Sequence, residues 1–204
     1  MPATPLLASA LAKSGEANQY GELIAELERK QDWTGLAALA ETRIAADRKS
    51  SEWWVIYGYA ELQMRDYPRA TAAFARSTEV SPEDVDGWNM LGETQRLSGQ
   101  PGRAVQTLGR ALAIDPTSPM TRFLLGEASR DDGRLERAKA HYRDALRLDQ
   151  KYAPALFGLA TVLMRTGPAD EYQATHDQLQ KADPVLAEQL RGLQKARAGA
   201  SPSR

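Results

Sequence analysis

The 204-residue chain contains no cysteine, which excludes disulfides, thiolate metal sites and cysteine nucleophiles together. Histidine is almost as scarce. His141 and His176 stand too far apart to form a metal-ligand spacing, and each reads as a packing or surface side chain. Neither charge sign is in excess: 26 Lys+Arg meet 27 Asp+Glu, a formal net charge of −1. A basic stripe for broad nucleic-acid or lipid binding is therefore not expected. No apolar run approaches the roughly 18 residues needed to span a bilayer. The stretch Pro5–Ala12 lacks the basic start of an export signal and is expected to be a short helix. A chain without cysteine folds in either redox setting; the expected location is cytoplasmic, or periplasmic if an export signal has been removed. No stretch shows the period-two alternation of a strand. What is left, 42% hydrophobic and 26% charged residues, is ordinary globular composition.

What is present is a repeat. Residues 51–84, 85–118 and 119–152 align without gaps at one period. The first block carries Trp54, Tyr57-Gly58, Ala70, Phe74 and Pro82. The second carries Trp88, Leu91-Gly92, Ala104, Leu108, Ala111 and Pro116, and the third Leu125-Gly126, Ala138, Tyr142 and Ala145. Glycine inside a helix costs roughly 1 kcal/mol relative to alanine, so Gly58, Gly92 and Gly126 at one period imply close backbone packing. Ala70, Ala104 and Ala138 are the small residues expected opposite them, with large side chains filling the space beside. Two weaker blocks flank these, 17–50 and 153–186, the latter with Tyr172 where the small alanine belongs. Residues 187–198 carry one apolar stripe and are expected to cap the array. Residues 1–16 are read as a short helix or tail and 199–204 as a frayed end.

This pattern resembles the tetratricopeptide repeat. The resemblance implies an all-α, right-handed helical-hairpin solenoid, a superhelix of about five repeats with capping helices. It further implies a non-catalytic protein–protein interaction module that needs no cofactor and binds a peptide or helix of a partner protein in a concave groove. An accessory role in a larger assembly follows as an expectation. The alternative is a scaffold that forms homo-oligomers through its terminal repeats.

Residues 97–105, LSGQPGRAV, superficially suggest a phosphate-binding loop. Such a loop needs a preceding strand and a Gly-Lys-Ser/Thr ending, and neither is present. The same slot one period on also holds a glycine. Gly99, Gly133 and Gly167 are instead expected to end first helices in left-handed turns. Ser81-Pro82 and Ser118-Pro119 read as caps that open the following helices. Arg69, Arg103 and Arg137 recur where second helices begin. They are expected to pair with carboxylates of a neighbouring repeat, or else to form a basic patch for an acidic partner.

The family's groove positions lie on first helices. Carried over by register, they are Glu52, Val55, Tyr59, Leu62 and Gln63; then Asp86, Asn89, Glu93, Arg96 and Leu97; then Met120, Phe123, Glu127, Arg130 and Asp131; and finally Phe157, Thr161, Met164 and Arg165. Glu93–Arg96 and Glu127–Arg130 also have the spacing of same-helix ion pairs, and Phe123 and Phe157 could equally pack between first helices. The lysine and asparagine with which some family members clamp the carboxylate tails of chaperones are replaced by Val55 and Tyr59, so that ligand is not expected. Trp54 is read as a core residue. Trp53, next to it, should face the preceding block, against Leu36 and Leu39.

Overall fold

The computed structural model describes residues 17–199; the short helix expected near the N-terminus and residues 200–204 of the expected tail lie outside them. Among the described residues there are eleven α-helices and no strand: α1 Ala17–Lys30, α2 Trp33–Ala46, α3 Ser51–Gln63, α4 Tyr67–Val80, α5 Val85–Leu97, α6 Pro101–Ile114, α7 Pro119–Asp131, α8 Leu135–Leu148, α9 Ala153–Thr166, α10 Ala169–Ala182 and α11 Pro184–Gly199. They fall into two compact units divided between Ile114 and Asp115. The first holds the hairpins α1–α2, α3–α4 and α5–α6. The second holds α7–α8 and α9–α10, with α11 packed on α9 and α10.

The hairpins α3–α4, α5–α6 and α7–α8 each close where a glycine meets a large side chain. A Cβ placed on Gly58 would lie 3.0 Å from the Phe74 ring, on Gly92 2.6 Å from Leu108, and on Gly126 2.4 Å from Tyr142. Ala70, Ala104 and Ala138, the small partners on the second helices, are fully buried. Tyr142 also meets Gly158 of α9, where a Cβ would come within 2.6 Å of its ring.

Four of the five turns inside the hairpins share one geometry. Gly99 and Gly133 have φ of 78° and 76°, and the non-glycine residues Gln31 and Arg65 adopt the same left-handed state at 56° and 61°. In all four, the following residue's N–H reaches back over the turn, as from Asp66 to the Glu61 carbonyl at 2.9 Å and from Gln100 to that of Gln95 at 2.9 Å. These bonds satisfy carbonyls that the helix end would leave orphaned. Gly167 departs from this expectation: its φ is −102°, so α9 ends in extended backbone.

Caps then restart the helices. Asp32 accepts from the Gly35 N–H at 2.8 Å, Asp66 from that of Arg69 at 3.1 Å, and Ser118 from that of Thr121 at 3.1 Å. For α5 the cap is Asp84, which accepts from the Asp86 N–H, and not Ser81, which instead closes α4.

Of the two adjacent tryptophans, Trp53 packs toward the preceding hairpin as expected, whereas Trp54 is not the core residue that the register suggested. Trp53 is 2% exposed, meets Tyr20 edge-on at 5.5 Å, and packs in the cluster that holds Leu36 and Leu39. Trp54 is only half-buried and donates its indole N–H to the Arg48 carbonyl at 3.1 Å. Trp88 repeats that bond to the Pro82 carbonyl at 2.8 Å, and in the third block Arg122 reaches the Pro116 carbonyl at 3.5 Å. The fourth residue of these repeats therefore fastens the loop that precedes it.

Candidate binding surface

Within the first unit the register places Val55, Tyr59, Asn89, Glu93 and Leu97 on first helices, but not all of them face outward. Val55 and Tyr59 are buried. Tyr59 meets Trp33 of α2 edge-on at 5.8 Å and donates its hydroxyl to Glu28 of α1 at 3.3 Å, so the preceding hairpin covers this part of α3. Asn89 occupies the same repeat position as Val55 and is buried as well, which makes that position an inward one in this unit. The three are not available to a partner as the sequence suggested. Glu52 is half-buried and accepts from the Ser50 hydroxyl at 2.7 Å. Leu62 packs partly on the core, Asp86 is half-buried and Gln63 exposed. Arg96 grips Glu93 through two bonds of 2.8 and 2.7 Å, both side chains mostly covered. Beside them Leu97 is 41% exposed.

In the second unit Met120, on the first turn of α7, is 44% exposed. Phe123 is half-buried between Tyr142 at 6.2 Å and Tyr152 at 5.9 Å. Glu127 accepts from the Tyr142 hydroxyl at 2.6 Å and from Arg130 at 2.8 Å, and Arg130 also reaches Asp131 at 3.2 Å. Burial works against the Arg130 charge, yet the carboxylates of Glu127 and Asp131 outweigh it and hold the guanidinium charged. Burial, with Glu127 beside it, pushes the Tyr142 hydroxyl well above its ordinary range, so it stays a neutral donor. On α9, Phe157 packs on the cluster under α11, the Thr161 hydroxyl donates to the Phe157 carbonyl at 2.8 Å, and the Met164 carbonyl accepts from Arg197 at 2.9 Å. Met164 is half-buried and Arg165 exposed.

The arginines that open the second helices do not bridge repeats as expected. Arg69 lies 3.6 Å from the buried Glu61 and 3.6 Å from Asp66, all in its own hairpin. Arg103 donates to Gln100 at 3.0 Å, and Arg137 is exposed. Among the described residues no group of three metal-binding side chains converges, and no helix is long and apolar enough to cross a membrane.

Residues 57–119 and 121–152 match models of the tetratricopeptide repeat. Superkiller protein 3 of Schizosaccharomyces pombe is 29% identical over 110 residues, 53% of this chain and 8% of that protein. Superkiller complex protein 3 of Mus musculus is 28% identical over 134 residues, 65% of this chain and 9% of that protein. The chain thus spans less than a tenth of the length of these curated relatives. Among solved structures, PilW, a widely conserved type IV pilus biogenesis factor, superposes with a TM-score of 0.72 at 19% identity, over 93% of this chain and 96% of its own. YrrB, a tetratricopeptide-repeat protein with an unusual peptide-binding site, gives 0.63 at 18% identity, over 91% and 97%. MamA of Desulfovibrio magneticus RS-1 gives 0.67 at 19%, over 86% and 98%. These likenesses are likenesses of fold, and all point the same way as the repeat models. Over residues 57–119 and 121–152 the chain is built of tetratricopeptide repeats, the unit of protein-interaction scaffolds.

Proposed function

We propose that the chain, without catalysis, holds a peptide or helix of another protein against its first helices, as an accessory subunit of a larger assembly. The supporting observation is the composition of the outward side of α5: a 41%-exposed Leu97 beside an Arg96 already fixed by Glu93. An exposed apolar anchor next to a held arginine is a combination favoured in binding surfaces, and fixing the arginine beforehand lowers the ordering cost of association. Met120 and Arg130 offer the same pair of chemistries in the second unit. YrrB supplies a precedent for a peptide ligand on this fold. PilW and the superkiller complex protein are named for roles in assemblies, and they suggest the accessory role.

Site-specific photo-crosslinking tests the reading. Crosslinkers at Leu97 and at Met120 should capture one and the same partner, and one at the exposed second-helix residue Gln106 should not. Capture at Gln106 alone would sink it. A homo-oligomer formed through the terminal repeats is the second reading, favoured by Val185 and Leu193 on α11, 68% and 47% exposed. Light scattering that grows with concentration would select it.

A further inference from the structure

On the opposite helix layer of the second unit, a cleft of about 1020 Å³ opens between α8 and α10. We propose that this cleft is a separate docking site for an acidic segment of a partner protein. Its rim carries Arg143, Arg147, Lys151 and Lys181. The carboxylate in the lining, Asp144, is already engaged by Arg122 at 3.0 Å and by Arg147. Arg143 is matched by Glu171, which accepts from its Nε at 3.1 Å. Four cations thus face two carboxylates, and Lys151 and Lys181 carry the surplus. The surplus is local, in a chain whose formal net charge is −1.

Spacing and floor define what fits. Arg143 and Arg147 stand four residues apart on α8, about 6 Å along the helix, a step that carboxylates one helical turn apart can match, and Lys151 follows in the turn beyond the helix end. The floor is aliphatic, with Ala140, Leu146 and Ala182. It suits the apolar side of an amphipathic segment, whereas the lining offers no aromatic face on which a base could stack. Residues 1–16 and 200–204 together contain a single acid, Glu16, and so lack that ligand chemistry. Opposite charge across such a cleft would steer association and fix register.

The test uses the full chain and fluorescence anisotropy. The probe is a labelled helical peptide with glutamate at every fourth residue on an alanine–leucine background. A version with lysine in place of glutamate and a single-stranded oligonucleotide serve as comparisons. The acidic peptide should bind saturably and more weakly as salt is added. Lys151→Glu with Lys181→Glu should weaken binding about tenfold, while Lys151→Arg with Lys181→Arg and, separately, Leu97→Glu leave it unchanged. Both lysines are exposed, and melting by circular dichroism checks that the charge-reversed chain stays folded. Absence of saturable binding, binding undiminished by the double reversal, or tighter binding of the oligonucleotide would overturn the proposal. Loss of binding in Leu97→Glu would also overturn it, by moving the peptide to the first-helix surface.

Discussion

Tyr142 is wedged between the bare backbones of Gly126 and Gly158, and its hydroxyl is tied to Glu127 at 2.6 Å. An alanine methyl at residue 126 would meet the ring edge at 2.4 Å, and a tethered ring cannot turn away. Gly126→Ala is expected to cost about 1–3 kcal/mol by overpacking, read from urea denaturation. Gly92→Ala should cost less, because its obstacle is the branched tip of Leu108, which can change rotamer. Equal losses would show that the tyrosine ring swings freely. Arg65 carries the opposite liability, a side chain held at φ 61°. Left-handed backbone costs a non-glycine residue roughly 1–2 kcal/mol, and glycine's extra freedom in the unfolded chain cancels part of the relief. Arg65→Gly should therefore raise stability by about 0.5–1 kcal/mol, visible as a higher melting midpoint. His141 adds a pH dependence. Burial lowers its pKa below the ordinary 6.5, Asp144 opposes the shift, and Arg122 and Arg137 reinforce it. A histidine held neutral by the fold binds a proton more readily when unfolded, so its contribution to stability is full above pH 6.5 and is lost as pH falls below it. The native chain should lose more stability between pH 8 and pH 5 than His141→Gln does. Parallel profiles would rule out this assignment.

At the scale of the element, the hairpin was legible because three independent signals coincide at one period: a small residue on each helix and a large one between them. Turn geometry was legible only in part. Gly99 and Gly133 announce a left-handed turn, but Gln31 and Arg65 adopt it without the residue that signals it, held by the same backbone bonds. Gly167 signals it without adopting it. Helix phase explains the remaining differences. Adjacent helical residues point about 100° apart, so a register correct to the residue still leaves open which of Trp53 and Trp54 turns inward. Val55, Tyr59 and Asn89 were placed on first helices, yet position on a helix does not reveal what the neighbouring hairpin covers. The basic rim of the cleft was not legible, because packing alone brings Lys181 of α10 beside Arg143 and Arg147 of α8. The loop fastening by residue four of the repeat was likewise not legible, since it is an i to i−6 bond across a turn. It can be tested at Trp88: the Trp88→Phe variant keeps a ring and loses the bond to the Pro82 carbonyl. The expected loss is about 0.5–1.5 kcal/mol, and an unchanged melting midpoint would mean that solvent replaces that bond at no cost.

At the scale of the whole molecule, stability in a repeat array is roughly a sum over repeats and the interfaces between neighbours. The hairpin α9–α10 packs on α8 on one side, and on the other a single helix covers it. The helix that does this is α11. Its Ala187 and Leu190 are fully buried in one cluster with Leu156 and Ala160 of α9 and Leu179 of α10. Two bonds at its start, from the N–H groups of Val185 and Leu186 to the Asp183 carboxylate at 2.9 and 3.0 Å, aim it back across the hairpin. Arg197 ties its far end to the Met164 carbonyl. Truncating a buried leucine such as Leu190 to alanine typically costs about 2–5 kcal/mol, and deleting the helix would in addition open Leu156 and Leu179 to water. A chain ending at Asp183 is therefore expected to lose amide protection first in α9 and α10 while α3 to α6 keep theirs, and to scatter light at concentrations where the full chain does not. Leu190→Ala should show a milder form of the same pattern. Uniform loss of protection along all the hairpins would instead mean that the array unfolds as one cooperative body, in which α11 adds stability without being a local cap.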